Sequence, residues 1–210
     1  MVTPVEEEGE STDSLDQLIL QARAALDAEG VTAEIATYLA VDRSALNGNG
    51  QVETAVRRAV AFGAAAGCEV TTGGLFSTSV EATFSMTPTN WSGVVADQNS
   101  RLTDVIGGVS YAPVVDWQAD HYEANLNTRP AFVVVYTAGN PGDVEDAEEA
   151  LAFSEAAWDF HVTGSASGLV AQLDEAFDHV SSLVVTAGGS DELAFAHMAL
   201  TLKLALEAGS

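Results

Sequence analysis

Lysine is almost absent from this chain. One lysine and six arginines face 31 acidic residues, giving a formal charge of −24 over 210 residues. Seven scattered cations cannot assemble a basic patch, which argues against a protein that grips DNA or RNA phosphates. Cysteine is nearly as scarce. Cys68 stands alone, so neither an intrachain disulfide nor a cysteine-based zinc site is available. Long apolar runs are missing too: none approaches the ~20 residues that cross a bilayer, and no membrane partner is expected. The N-terminus runs Val-Thr-Pro into Glu6, Glu7, Glu8 and Glu10, with neither the basic nor the apolar region of a signal peptide.

What the chain does have is apolar mass: 47% of its residues are hydrophobic. Disordered acidic chains combine high charge with few such residues, so this composition belongs to a folded protein. Folded, it repels itself in dilute buffer; in molar salt the Debye length falls to about 3 Å and the repulsion is screened. An acidic chain nearly free of lysine fits a salt-saturated cytoplasm, that of halophilic archaea or their viruses. The alternative is a mesophilic protein with a partner of opposite charge. The length suits one large domain or two small ones.

Residues 1–12 read as an acidic tail. Ser14 with Gln17 forms a capping box for a helix through Leu15, Leu18, Ile19, Ala22 and Leu26 to Gly30. Thr32 is expected to cap a second, short helix bearing Ile35, Tyr38 and Leu39, before a break at Asn47-Gly48-Asn49-Gly50. A third helix covers Val52 to about Gly67. Val80, Ala82, Phe84 and Met86 alternate with polar residues as in a half-buried strand. Residues 87–108 read as a turn and loop, and Val109–Trp117 and Ala131–Thr137 as strands. A turn at Gly139-Asn140-Pro141-Gly142 leads to a helix from Asp143 to about Phe160. A Gly/Ser break at 163–168 precedes a helix through Leu169, Leu173, Phe177 and Val180. The last segment, from Ser190, has the composition of a helix, although its leucines alternate as in a strand. Helices, then strands, then helices predict an α+β fold, mainly α, rather than a βαβ parallel sheet.

Chemistry-bearing motifs are thin. Asp120-His121-Tyr122-Glu123 offers an imidazole between carboxylates, a metal or general-base reading that clustering with Asp116 around a pocket would support. Asp159-Phe160-His161 and Asp178-His179 read as helix-end histidines favoured by the dipole, and His197 as a packed residue in an apolar helix. Gly48-Asn49-Gly50, Gly73-Gly74 and Gly164–Gly168 lack the spacing of a phosphate or dinucleotide loop. No Gly-x-Ser-x-Gly elbow occurs. Asn90-Trp91-Ser92 is the single N-glycosylation sequon. No catalytic residue, cofactor or metal follows from these motifs, and the expectation is a protein that is not an enzyme.

Several strings, in order, resemble the head–tail connector (adaptor) proteins of long-tailed phages, the HK97-type adaptors and their longer relatives. Val31-Thr32…Leu39-Ala40-Val41-Asp42 is similar to the family's first capped helix. Val52–Gly67 with Thr72-Gly73-Gly74-Leu75 is similar to an Ala-rich helix and its turn, with Gly74 where Arg is usual. Ser79–Met86 corresponds to the following strand. Val133-Val134-Val135-Tyr136-Thr137-Ala138-Gly139, then Val144–Trp158, looks like the closing strand and acidic helix. The match covers roughly residues 31–161.

The resemblance implies a helical connector core with a small antiparallel β insertion and C-terminal helices. Its divisions would be the tail at 1–12, an adaptor-like domain at 13–161 and a helical extension at 162–210. It implies a structural virion protein of a halophilic archaeal tailed virus, built in the host cytoplasm and residing in the virion neck. About twelve copies would form a ring under the portal. Its partners would be itself, the portal protein and tail or neck proteins, with DNA passing through an acidic channel that repels phosphates. Leu193, Phe195, Met198, Leu200, Leu202, Leu204 and Leu206 form the expected portal or subunit interface, since apolar residues all round a helix imply burial on more than one side. The alternatives are another virion component, a capsid decoration or tail-completion protein, or a small halophilic enzyme using Asp120, His121 and Glu123.

Overall fold

Among the described residues of the computed structural model, twelve elements order a single sheet and its two covering layers. The structure describes residues 14–43, 51–101, 109–137, 142–162, 180–184 and 189–209. The expected acidic tail, the break at 47–50, most of the 139–142 turn, the Gly/Ser break and the helix through Leu169, Leu173 and Phe177 lie outside these residues. In chain order the elements are α1 Leu15–Glu29, β1 Ala36–Asp42, α2 Gln51–Ala65, β2 Thr71–Phe76, β3 Val80–Met86 and α3 Trp91–Arg101. There follow α4 Ala112–Ala124, β4 Ala131–Thr137, α5 Val144–Ala152, β5 Ala157–Val162, β6 Val180–Val184 and α6 Asp191–Ala208.

The strands form one six-stranded sheet in the order β3-β2-β1-β4-β5-β6. Only β3 runs antiparallel, against β2; the other neighbours pair parallel. Helices cover both faces. On one, α1, α2 and α6 enclose Leu18, Leu26, Val56, Phe62, Phe132 and Phe195. On the other, α4 and α5 enclose Tyr38, Tyr111, Val114, Leu151, Trp158 and Phe160. This is a doubly wound α/β sheet.

That architecture corrects the expected α+β, mainly α, connector core with a small antiparallel insertion. The reason is physical. A central parallel strand is buried on both faces and loses the alternation that marks a half-exposed strand. All seven residues of β1 and of β4 are buried, as are all six of β5. Residues 36–42, expected within a capped helix, are therefore β1. The helix expected from Asp143 to Phe160 stops at Ala152, and Ala157–Val162 is β5. Val180, expected at a helix end, begins β6. Thr72-Gly73-Gly74-Leu75, likened to a turn, lies within β2, its glycines admitting Phe84 and Trp117 against the backbone.

Two further segments exchange roles. Val109–Trp117, expected as a strand, mostly enters α4, which Pro113 opens at its first turn, where a missing N–H costs nothing. The expected loop at 87–108 contains α3; the Asn90 side chain accepts from Thr87 N at 2.7 Å and holds the turn that leads into it. Where alternation or caps were legible, sequence and structure agree. Ser14 and Gln17 make the capping box, Gly30 closes α1 at φ 72°, α2 follows at Gln51–Ala65, and β3 alternates along Val80–Met86. The final segment is helical, capped by Ser190.

Candidate functional site

Chain order in the sheet reverses at β1. β2 lies on one side of it and β4, reached after β3, on the other. In doubly wound sheets, ligands bind outside the carboxyl ends of the two strands at such a reversal. β1 ends there in Asp42 and β4 in Thr137, both fully buried. Thr137 Oγ1 donates to Asp42 Oδ2 at 3.0 Å. A hydroxyl carries one proton, so the Tyr111 hydroxyl, 3.0 Å from Thr137 Oγ1, must donate to it in turn. Burial, with Asp42 and Asp143 nearby, pushes the Tyr111 phenol far above its ordinary range, although the Thr137 bond opposes this. Asp143 aims α4 into place, its two oxygens accepting from Tyr111 N and Ala112 N at 3.1 and 3.0 Å. Arg43, next to Asp42, pairs with Glu81, which also accepts from Ser77 Oγ at 2.6 Å.

A second polar constellation lies on the opposite face, beneath α6. The two-residue strand period puts Asp159 and His161 of β5 on the same face as Tyr136 of β4. Parallel register sets Asp159 beside Ser181 of β6. His197 of α6 bridges that pair: Nδ1 lies 3.0 Å from Asp159 Oδ1 and Nε2 lies 3.0 Å from Ser181 Oγ. Asp159 is fully buried, while the His197 side chain keeps 18% exposure. Burial alone would raise the Asp159 carboxyl. The attraction of His161 and the hydrogen bonding of His197 outweigh it and hold the group below its ordinary value. His161 stands 3.6 Å from Asp159 Oδ1 and stacks on Tyr136 with ring centroids 4.6 Å apart. Asp159 Oδ2, both His161 ring nitrogens and the Tyr136 hydroxyl make no hydrogen bond to the described residues.

The residues singled out from sequence fall elsewhere. Asp116, Asp120 and Glu123 lie on the solvent face of α4. His121 stands edge-on to Trp117, 3.5 Å from Thr83 Oγ1. Among the described residues, no three His, Cys, Asp or Glu side chains are placed to hold a metal ion. Phe195, Met198 and Leu202 are core residues; Leu193, Leu200 and Leu204 are exposed, and Leu206 is half-buried against the core. Asp159 and His161, expected at the end of a helix, are neighbours on a strand, so both side chains reach one face. That misreading hid the constellation. The remaining signal in the sequence was a polar Asp-Phe-His inside an otherwise apolar strand-length segment.

A cleft of about 310 Å³ opens at the other end of β1, where Tyr38, Cys68, Glu69, Asn127 and Arg129 are among its lining. The Cys68 thiol donates to Val70 O at 3.2 Å, and Arg129 pairs with Glu34 at 2.8 Å.

No protein-family model and no curated protein sequence matches the chain. Among solved structures similar to it is the VWA domain of SpRpn10, at 12% identity and a TM-score of 0.48, covering 78% of this chain and 93% of that one.

Proposed function

We propose that this protein is a recognition domain that takes a protein partner at the carboxyl end of its sheet, over Asp42. The supporting observation is the placement of Asp42: a fully buried carboxylate at the end of β1, at the reversal point, reached by the Thr137 hydroxyl. Doubly wound sheets bind ligands at that position. Tyr111 donates to Thr137 and Thr137 to Asp42, so these protons are committed to holding the strand ends in place. The two strand ends beneath the partner are thereby tied together.

Cross-linking tests the proposal. A photoreactive residue at exposed Thr78, in the hairpin at the carboxyl end of β2, should capture a partner from native assemblies in molar KCl. The same residue at Glu34, before the amino end of β1, should not. An Asp42→Asn variant that keeps its circular dichroism should lose the Thr78 capture. Equal capture from both positions, or preferential capture from Glu34, would overturn the proposal.

A neck ring of a tailed virus is one assembly such a domain could serve. The strings that suggested it lie on β1, α2, β2, β3 and the run from β4 through α5 to β5, in a doubly wound sheet and not in a helical core, so the ring needs independent support. Copy number per particle supplies it: about twelve supports a ring, whereas hundreds would indicate a shell protein.

A further inference from the structure

The constellation beneath α6 carries a separate inference. Ser181, His197 and Asp159 form an unbroken hydrogen-bonded chain, with Ser181 Oγ 3.0 Å from Nε2 and Nδ1 3.0 Å from Asp159 Oδ1. An ionised Asp159 can only accept, so Nδ1 of the neutral ring carries the proton. Nε2 is then the lone-pair nitrogen and accepts from the serine. This is the tautomer and order of contacts that a general base needs to activate a hydroxyl. Each member is set by a different element, β5, β6 and α6, so the arrangement is fixed by tertiary packing.

Two features equip the chain for a ligand. β6 is an edge strand of the sheet, and Ser181 and His197 are both only part-buried. Leu193 and Leu200, four residues before and three after His197, share its helix face and are 56% and 43% exposed. Exposed apolar side chains beside an activated hydroxyl suit an acyl chain.

We propose that Ser181 is an acyl-accepting nucleophile, activated by His197, toward esters or thioesters of apolar carboxylic acids. Ser181 Oγ bonds to the carbonyl carbon and its proton passes to His197 Nε2. The bond from that carbon to the alcohol or thiol breaks, and the leaving group takes the proton from Nε2. Water, deprotonated by the same nitrogen, later releases the acid and restores the serine. Asp159 is a positioning residue that holds the ring. This activity is independent of partner recognition at Asp42.

An alkyl fluorophosphonate, from which fluoride leaves as Ser181 Oγ bonds to phosphorus, is the probe. Full-length protein in molar KCl should gain one adduct, located on Ser181 by peptide mass, faster with an octyl than with an ethyl chain. The rate should rise with pH as the imidazole loses its proton. His197→Ala should slow labelling by about 100-fold or more, and Asp159→Asn should displace the pH profile. Replacing Leu193 and Leu200 with Ser should remove the octyl preference. The wild-type measurement decides even if a variant fails to fold. No Ser181 adduct on protein with native circular dichroism would overturn the proposal, as would equal labelling of other serines or an unchanged rate in folded His197→Ala.

Discussion

Arg58 of α2 reaches across the core to Asp191 at the start of α6, Nε to Oδ1 at 2.6 Å, and its Nη2 donates to Gly189 O at 2.6 Å. The guanidinium is 3% exposed and Asp191 30%. Truncating one partner of a buried pair strands the other charge. Asp191→Ala leaves the buried guanidinium without its counter-charge and should therefore cost about 3 kcal/mol in denaturant unfolding. Arg58→Met, which leaves behind only the wetter Asp191, should cost about 1 kcal/mol. Equal losses would show that the two charges are desolvated alike.

Gly63 lets α2 lie close against the sheet. A Cβ there would lie 2.9 Å from Thr71 Oγ1, 3.0 Å from Thr37 Oγ1 and 3.3 Å from Thr37 Cβ, an atom fixed to its strand. Gly63→Val must push the helix outward and should destabilise by about 2 kcal/mol, as overpacked cores do. A midpoint equal to that of wild type would mean that α2 sits further from β1 than these distances require.

Stability should fall at both ends of the pH range. Asp159 is depressed when folded, so its contribution is present above the unfolded aspartate value of about 3.9 and is lost as pH falls through the lower folded value. The Tyr136 phenol is pushed up to about 12 by burial, against the pull of Arg58, so its contribution holds below about 10 and is lost between there and 12. Thermal melts against pH should show both limbs. Tyr136→Phe should lessen only the alkaline one, to which the raised Tyr111 phenol also contributes, and an unchanged alkaline limb would place that loss on Tyr111 or another group.

Low salt should unfold the protein. With −24 formal charge and seven cations, self-repulsion is unscreened in dilute buffer. Circular dichroism should fall on dialysis to millimolar salt and recover in molar KCl. Undiminished signal in dilute buffer would point instead to a basic partner.

Local chemistry in the sequence determined several features without help from the rest of the chain. The Ser14–Gln17 box and Gly30 bound α1 because each cap satisfies backbone groups only a few residues away. β3 was legible because one face meets solvent, so its residues alternate. The lone Cys68 excluded an intrachain disulfide. The rest of the sheet was only partly legible. β4 was read as Ala131–Thr137 because its Phe-Val-Val-Val-Tyr run is aromatic and β-branched, but β1 and β5 are buried on both sides, and an apolar run looks the same in a buried strand as in a buried helix. Only tertiary pairing decided that residues 36–42 are a strand and that Asp42 meets Thr137, 95 residues away. Likewise His197, whose surroundings in sequence are those of a packed residue, acquires Asp159 and Ser181 because α6 lies across β5 and β6. Contacts between distant segments depend on how whole layers pack, and a single chain written in order does not display them.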